Sequence, residues 1–357
     1  MKNKAGKDLG RTRLASLIES DIRDRGLRAG DRYLTAQEVS RLLGVSTMTA
    51  NRAMQDLARR DILRRNKKAG SFVGARFTSE RPVSLQTVHL LMPAEYFATD
   101  KAIVDLVVAG IHAEMPEDAI QFTFVPASGE VAFVRNLVDG ARRLGSLGGV
   151  VLFLSSPAVQ RFFKEAGVPA VVAGSVYAEV GGLPWFDLDQ KEIGRLLARA
   201  AIQRGHRRIA ILMRDRWGAG DNLMIDGVHE ELGSARIESL NVRSLPSDPA
   251  VIAASIRAML ESDPRPTALI CRSRLAADAA ADAVRALGKS VPKDVAIFLA
   301  DHYPNDRRPV TYLHTVSSIT PEEHGATIAR LLQAKARGQA AEPVSRAPVV
   351  LRDPEKA

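Results

Sequence analysis

The sequence predicts an α/β fold in two unequal parts: a small, basic N-terminal domain of helices with a β-hairpin, and a large domain of alternating strands and helices. Two observations lead to this prediction. Residues 1–81 hold 19 Lys or Arg against 9 Asp or Glu, whereas the rest of the chain holds 31 against 32. From about residue 85 onward, apolar strand-like segments alternate with helical patterns.

The overall composition is that of an ordinary globular protein, with 46% hydrophobic and 25% charged residues. No run of about 18 apolar residues appears, and the basic N-terminus lacks the apolar core of a signal peptide. We therefore expect neither contact with a membrane nor export. Cys271 is the only cysteine and cannot form an internal disulfide, which favours a reducing, cytoplasmic location.

Signatures of catalysis and of cofactors are weak. The seven histidines show no metal-ligand spacing, and the glycine-containing segment at 218–223 lacks the third glycine of a dinucleotide-binding turn. No nucleophile elbow or pair of catalytic carboxylates stands out. We expect no metal, no cofactor and no enzymatic activity, although an α/β fold by itself does not exclude an enzyme.

Three helices are predicted in the basic N-terminal segment. The first has apolar residues at helical spacing within 14–22. The second begins after Thr35, where Glu38 three residues later completes a capping box. Gly44 marks a tight turn, and Ser46 caps the third helix. A disordered basic tail is the alternative interpretation, but the periodicity and the caps favour a folded domain.

The third predicted helix is amphipathic, as the second helix of a helix-turn-helix is. Ala50, Ala53, Met54 and Leu57 point inward. The outward face consists of Thr47, Met48, Asn51, Arg52 and Gln55. Such side chains can contact base edges and phosphates, whereas an ordinary solvated face is richer in Glu and Lys. A basic strand–turn–strand follows at 62–73, which we interpret as a wing that lies along a phosphate backbone.

Residues 8–76 resemble the winged-helix domain of gluconate-repressor (GntR) type bacterial regulators. The segment "GDRYLTAQEVSRLLGVSTMTANRAMQDLARRDILRRNKKAGSFV" matches the family pattern without a gap. The resemblance implies that the third helix enters the major groove of double-stranded operator DNA and that the wing contacts the minor groove or the backbone. Together with the outward face and the basic wing tip, it gives the candidate DNA contacts Thr35, Gln37, Ser46, Thr47, Met48, Thr49, Asn51, Arg52, Lys67, Lys68, Gly70 and Ser71.

The chain departs from this family pattern at several positions. Leu34 replaces the usual Pro, Asp61 a usual Gly and Lys68 the first Gly of the wing. Thr47 and Gln37 stand where the family often has Arg. These departures bear on which operator sequence is read more than on DNA binding itself.

A polar linker with Pro82 separates this domain from the rest of the chain. We place the DNA-binding domain at 1–78, the linker at 79–84 and the large domain at 85–357. The predicted strands of the large domain are 87–93, 120–126, 149–155, 169–174, 207–213, 267–272 and 295–300. The helical stretches between them include 131–144, 190–204, 226–232, 249–260 and 275–287. Such alternation predicts parallel sheets with helices on both faces, which bind ligands beyond the carboxyl ends of the strands.

Residues 85–354 resemble the sensor domain of the lactose-repressor family, which is itself similar to periplasmic sugar-binding proteins. The segments that carry the resemblance are "FDLDQKEIGRLLARAAIQRGHRRIAIL", "PTALICRSRLAADAAADAVRALGKSVPKDVAIFLAD" and "PVTYLHTVSSITPEEHGATIARLLQAKARGQAAEPVSRAPVVLRDP". The resemblance implies a two-lobed, periplasmic-binding-protein-like α/β/α sensor that binds a small molecule in its cleft and forms a homodimer. The chain would cross between the lobes near 184 and 300–320. The two domains together resemble the bacterial arabinose-type repressors.

The ligand positions of that family are only partly kept. Met224 stands where the family often has an Arg that binds sugar hydroxyls, Ser273–Arg274 replace an Asn–Asp pair, and Asp301 is kept beside His302. Arg274 could favour an acidic or phosphorylated ligand, or could pair with Asp301. A working ligand site and a ligand-free scaffold both stay open. The candidate cleft residues are Tyr96, Arg214, Trp217, Met224, Arg274 and Asp301.

These observations predict a cytoplasmic, homodimeric, sequence-specific transcriptional regulator. Repression is favoured, because occluding a promoter is the simplest mechanism. The effector would be a sugar, a sugar acid or a sugar phosphate. The alternatives are a soluble small-molecule binding protein without DNA activity, and a DNA-binding regulator whose sensor binds nothing.

Overall fold

The computed structural model describes residues 14–15, 17–66, 70–77, 85–233, 235–302, 310–339 and 345–354. The chain divides into two compact units, one of residues 1–84 with 112–118 and one of residues 85–111 with 119–357. No described helix is long and apolar enough to cross a membrane.

The small unit consists, in its described part, of helices and one short sheet. Its helices are α1 (17–24), α2 (Ala36–Leu43) and α3 (Thr47–Arg59). Its strands are β1 (Arg32–Tyr33), β2 (Leu63–Asn66) and β3 (Gly70–Val73). They form an antiparallel sheet in the order β1-β3-β2. The winged helix-turn-helix predicted from the sequence is confirmed.

The apolar faces of the three helices close a small core. Ile18 of α1, Val39 of α2 and Leu57 of α3 are completely buried in it. Tyr33 of β1 joins them and donates its hydroxyl to Asp21 at 2.8 Å. Each buried aliphatic side chain contributes about 1.5–3 kcal/mol, which holds short helices that would be unstable alone.

The first lobe of the large unit is a fully parallel sheet covered by helices. Its strands are β4 (Thr87–Met92), β5 (Ala119–Phe124), β6 (Gly149–Phe153), β7 (Ala170–Ala173), β8 (Trp185–Leu188) and β14 (Ser345–Ala347). Its helices are α4 (Ala94–Glu114), α5 (Glu130–Arg143), α6 (Pro157–Glu165) and α11 (Pro321–Ala336). The sheet order is β14-β8-β7-β6-β4-β5. Strand β6 is buried throughout, as expected of a central parallel strand.

The second lobe has the same layered plan. Its strands are β9 (Arg208–Arg214), β10 (Ser239–Leu245), β11 (Ala268–Cys271), β12 (Ala296–His302), β13 (Leu313–Ser317) and β15 (Val349–Arg352). Its helices are α7 (Gln190–Gln203), α8 (Ala219–Leu232), α9 (Pro249–Glu261) and α10 (Arg274–Ala286). The sheet order is β10-β9-β11-β12-β13-β15, and only β15 runs antiparallel to its neighbour.

The described chain passes between the lobes at three places. It leaves β8 for α7 at Asp189, leaves β13 for α11 at 318–320, and passes from β14 to β15 at Pro348. Helix α7 packs on the second sheet and α11 on the first. Asp189 and Thr320 each cap the helix that follows. Short non-helical stretches of this kind are the positions that absorb hinge motions.

Each lobe contains a pair of helices in very close contact. A Cβ added to Gly194 of α7 or Gly227 of α8 would come within 2.0 Å of a backbone oxygen of the facing helix. Gly110 of α4 and Gly325 of α11 make the same kind of approach, with Cβ distances of 2.0 and 1.9 Å. Only glycine permits backbones to approach this closely.

The α/β fold class is confirmed, and the structure differs from the sequence prediction mainly at edges and ends. Helix α8 begins at Ala219 rather than at 226, because most of the glycine-containing segment 218–223 forms the start of the helix. The strands absent from the prediction are β1 of the small unit and β8, β10, β13, β14 and β15 of the large unit. They lie at or next to the edges of the sheets, where the apolar pattern is weakest.

Candidate nucleic-acid interface and ligand cleft

Side-chain hydrogen bonds fix the start of α2 and the turn between α2 and α3. The Thr35 N–H donates to Glu38 Oε2 at 2.7 Å, and the Glu38 N–H donates to Thr35 Oγ1 at 3.4 Å. The backbone bond from Thr35, together with that from its hydroxyl, lowers the pKa of Glu38, so the box stays intact at neutral pH. Across the turn, Ser40 Oγ donates to the Val45 carbonyl at 2.6 Å. Gly44 between them has a left-handed φ of 64°.

Helix α3 begins with a cap whose hydroxyls are already engaged. Ser46 Oγ accepts from the Thr49 N–H at 3.1 Å and lies 2.8 Å from Thr49 Oγ1. The exposed side chains of the helix beyond this cap are Thr47, Met48, Arg52, Gln55 and Arg59, and Asn51 is half-buried. Since the first turn of α3 holds no acidic residue, its N-terminal dipole is free to attract phosphate.

The wing presents arginines to solvent. Arg64 and Arg65 of β2 are exposed. The guanidinium of Arg32 lies beside the wing, with its Nε 3.6 Å from the position of a Cβ on Gly70. Gly70 has a φ of 102°, which favours glycine at this turn. These positive groups suit contact with a phosphate backbone.

The other predicted DNA contacts fall into different environments. Thr35 and Gln37 are exposed at the start of α2. Ser71 is only 4% exposed, because its side chain lies on the inner face of the wing sheet, and we withdraw its hydroxyl from the candidate contacts. Lys67 and Lys68 lie outside the described residues.

The large unit contains a cavity of about 490 Å³ between its two lobes. The first lobe lines it with Tyr96, Glu130 and Leu154, and the second lobe with Arg214 and Arg274 among others. These residues lie at or just beyond the carboxyl ends of strands, where open α/β sheets bind ligands. The cavity volume lies within the range of small-molecule sites.

Tyr96 and Arg214 form a stacked pair on the wall of this cavity. The Arg214 guanidinium lies over the Tyr96 ring, 5.9 Å from its centroid. The same two residues also line a second, smaller cavity of about 100 Å³. A cation–π contact of this kind holds a hydrogen-bond donor beside an aromatic face, which suits a ligand with both C–H and hydroxyl surfaces.

A buried ion pair between Arg272 and Asp221 lines the smaller cavity. The two residues are 4% and 2% exposed. Asp221 also accepts the Gly218 N–H at 2.7 Å, and Arg272 Nη2 donates to Gln190 Oε1 at 3.2 Å. Gln190 Nε2 in turn donates to Asp187 Oδ1 at 2.9 Å. The network therefore runs from the second lobe, through the first residue of α7, to strand β8 of the first lobe.

Burial and charge act in opposite directions on the two carboxyls of this network. Burial alone would raise the pKa of Asp221, but the guanidiniums of Arg272 and Arg214 lower it below its ordinary value. Asp187 accepts the Ser175 hydroxyl at 2.6 Å, yet burial dominates there and raises its pKa. Asp221 is thus the firmly ionised carboxylate, and its pair with Arg272 stays charged at neutral pH.

Two further contacts bridge the lobes near the main cavity. Arg216 Nη2 lies 3.0 Å from Glu130 Oε2, and Glu130 also accepts the Ser156 hydroxyl. The Tyr177 hydroxyl donates to the Trp217 carbonyl at 3.3 Å. Because each contact joins one lobe to the other, relative motion of the lobes would make or break them.

Four of the predicted cleft residues lie in different surroundings. Arg274 lines the main cavity, with its Nε 3.1 Å from both carboxylate oxygens of Asp278. Trp217 lines neither of the two cavities, and its indole N–H donates to a β10 serine at 2.9 Å. Met224 is completely buried where α8 packs on α7, so we withdraw it as a ligand contact. Asp301 lies near the end of β12, and its side chain is outside the described part.

Sequence reasoning missed several charged residues that the structure brings forward. Arg272 directly follows the buried strand β11, and a charge at the carboxyl end of a strand is a signal that could have found it. Asp221 was missed because the predicted helix began at 226, whereas the residue lies in the first turn of α8. Arg64 and Arg65 belong to the basic run of the wing but precede the tip on which the prediction concentrated.

Two family models match separate segments of the chain. Residues 11–73 match the model described as bacterial regulatory proteins, gntR family. Residues 186–353 match the model described as a periplasmic binding protein-like domain. Both matches agree with the resemblances seen in the sequence.

Known regulators are similar to the chain over most of its length. The HTH-type transcriptional regulator CelR of Thermobifida fusca is 29% identical over 255 residues, which is 67% of this chain and 71% of the relative. A solved complex of the transcriptional regulator CelR with cellobiose has a TM-score of 0.60 at 22% identity, covering 90% of this chain and 98% of that one. The lac repressor dimer bound to operator and the anti-inducer ONPF has a TM-score of 0.63 at 19% identity, covering 75% and 92%. The two solved structures share the fold.

Proposed function

We propose that this chain, a transcriptional regulator that joins a gntR-family DNA-binding domain to a periplasmic-binding-protein-like sensor, controls its operator in response to a small carbohydrate or carbohydrate derivative. The observation that carries the proposal is the presence, in one chain, of an exposed basic helix-turn-helix and an open interlobe cavity of about 490 Å³. The helix-turn-helix would bind the operator, and the cavity would bind the effector that changes this binding. Because operator DNA is its proposed target, the protein would act in the cytoplasm.

In this proposal the small unit binds DNA through two surfaces. Helix α3 enters the major groove, where Asn51 and Arg52 reach base edges and phosphates. Arg64 and Arg65 of the wing, with Arg32 of β1 beside it, follow the phosphate backbone of the DNA. Phosphate contacts give most of the affinity and make it depend on salt, whereas α3 gives the sequence preference.

An exposed aromatic cluster supports the binding of two copies to a near-palindromic operator. Phe122 and Phe124 on the edge strand β5 are 38% and 45% exposed, and each ring centroid lies 5.5 Å from that of Phe97. Aromatic surface on an unpaired sheet edge is typical of an interface. The operator-bound dimer of the lac repressor supports the same arrangement for this chain.

The chemistry of the cleft supports a carbohydrate-like effector. The Tyr96–Arg214 pair offers an aromatic face beside a donor, and Arg274 adds positive charge that also suits a sugar acid or a sugar phosphate. The CelR–cellobiose complex supports this class of ligand. A sensor that binds nothing is the second candidate, and the internal pairing of Arg272 with Asp221 favours it, because that guanidinium is already engaged.

The effector would act by changing lobe closure. A ligand shifts an equilibrium only by the difference between its affinities for the two arrangements. The distances in the Arg216–Glu130 pair and the Tyr177–Trp217 hydrogen bond would differ between open and closed lobes. A ligand that binds one arrangement more tightly would therefore favour either the formation or the loss of these contacts. The simplest output is repression by promoter occlusion, relieved or strengthened by the ligand.

The DNA-binding half is tested by selecting operator duplexes from random-sequence DNA with the full chain and measuring affinity by fluorescence anisotropy at several salt concentrations. We expect a selective site that holds two chains per duplex. Arg52→Ala should weaken binding to every duplex and make the salt slope shallower by about 1, because one phosphate contact is lost. Arg285→Ala, which removes an exposed arginine of α10, should leave both quantities unchanged. Absence of any selected site would overturn the proposal.

The sensor half is tested with the same chain and a panel of sugars, sugar acids and sugar phosphates. A member of the panel should raise the Tm and change the affinity for the selected operator. Tyr96→Leu should abolish both effects while DNA binding without ligand is kept. Trp217→Phe, outside the two cavities, should keep both effects. If no member of the panel changes Tm, the ligand-free sensor is the correct description.

A further inference from the structure

We infer that Met48 reads the 5-methyl group of a thymine in the major groove, so that each half-site of the operator carries a thymine facing this residue. The inference rests on the proposed function, because it needs α3 to bind DNA. It adds a source of sequence preference that hydrogen bonding does not supply.

Met48 is a large apolar side chain in a polar setting. It is the second residue of α3, and its side chain is 64% exposed. Among the large apolar side chains that the structure describes, only Leu144 is more exposed. The inward residues Ala50, Ala53 and Met54 already complete the apolar face of the helix. Met48 therefore contributes nothing to the core, and its apolar surface can be buried only by a partner of α3.

The polar neighbours of Met48 are engaged in holding the first turn of α3. Ser46 Oγ and Thr49 Oγ1 lie 2.8 Å apart within the cap. Thr47 Oγ1 donates to Ser40 Oγ at 3.4 Å. The cap therefore fixes the start of the helix, and the thioether of Met48 is the side chain that this turn projects without an internal role.

The chemistry of the groove fits this side chain. Thymine is the base whose major-groove edge carries a methyl group, and the N-terminal residues of a recognition helix are those that reach base edges. Methionine is unbranched and polarizable, so it adapts to a small apolar target. Asn51 and Arg52 lie three and four residues further on, on the same face of the helix, and supply the hydrogen bonds beside the apolar contact.

The test compares thymine with uracil, which pairs identically but lacks the methyl group. Each thymine of the operator selected with the full chain is replaced singly by uracil, and Kd is measured by anisotropy at fixed salt. At one thymine of a half-site the wild-type chain should lose about fourfold in affinity, as expected for one buried methyl group. Met48→Ala should bind the thymine and uracil duplexes equally, whereas Met48→Leu should keep part of the difference.

Gln55→Ala is the matched control, because it shortens another exposed residue of α3 and should keep the full thymine–uracil difference. Met48 is exposed, so its variants should keep the wild-type Tm. If no thymine shows a uracil effect, or if the effect persists in Met48→Ala, the inference is overturned while the regulator proposal stands. If no operator is selected at all, the proposed function fails and the inference fails with it.

Discussion

Arg272 and Asp221 form an ion pair inside the sensor, with side chains that are 5% and 2% exposed. Both side chains are at least nine-tenths buried, so neither charge can turn to water when its partner is removed. Arg272→Met should lower the free energy of unfolding by about 3 kcal/mol, because the carboxylate of Asp221 stays buried with less compensation. The double variant with Asp221→Leu should regain much of that loss, since an apolar pair has no charge to desolvate. Urea unfolding of the four proteins measures the cycle.

The exposed pair of Arg285 and Asp282 on α10 is the control for this cycle. Its side chains are 70% and 65% exposed, so water and salt screen the interaction. Arg285→Met should produce no measurable change in stability. If Arg272→Met also left the free energy of unfolding unchanged, the buried charges would not be coupled as the structure indicates. The same would follow if the double variant were the least stable of the four proteins.

At the scale of whole elements, the contact between α7 and α8 depends on glycine. A Cβ on Gly227 would lie 2.0 Å from the backbone oxygen of Lys191, so the helices would have to move apart. Gly227→Ala should therefore lower the free energy of unfolding by about 1–3 kcal/mol, as overpacking does. This is opposite in sign to the ordinary gain of about 1 kcal/mol when alanine replaces glycine within a helix. Thermal and urea unfolding measure the change.

Gly140 of α5 gives the matched comparison. A Cβ there would meet only the Arg143 guanidinium, at 3.9 Å, and that flexible side chain can move. Gly140→Ala should raise the free energy of unfolding by about 0.5–1 kcal/mol, since the unfolded chain loses freedom. Changes of the same sign at both glycines would contradict the close α7–α8 contact.

The helix starts that could be predicted are those specified by residues close together in the sequence. Thr35 with Glu38 and Ser46 with Thr49 lie three residues apart, so the starts of α2 and α3 follow from local hydrogen bonding. Arg272 and Asp221 are 51 residues apart and meet only after α8 and the end of β11 have come together in the second lobe. The burial of Met224 likewise depends on the packing of α8 against α7, which no local pattern reveals.

Over the whole molecule, buried and half-buried histidines should make the free energy of unfolding depend on pH. Burial is the main cause that lowers the pKa of His89, His206, His314 and His324, the last to about 4. In the unfolded chain these groups take up protons below about pH 6.5, whereas the folded chain resists protonation. Stability should therefore be highest above pH 6.5 and fall as pH drops toward 4.

His324 allows this dependence to be assigned to one residue. It is 6% exposed, and its ring packs edge-on against Phe186 with centroids 4.9 Å apart. Between pH 7.5 and pH 5 the wild type should lose about 2 kcal/mol more in free energy of unfolding than His324→Leu. The raised pKa values of Glu19 and Asp187 act in the opposite direction, but both proteins contain these carboxyls, so their effect cancels in the difference. Urea unfolding at the two pH values measures it, and equal losses in the two proteins would show that His324 is protonated as readily in the folded chain as in the unfolded one.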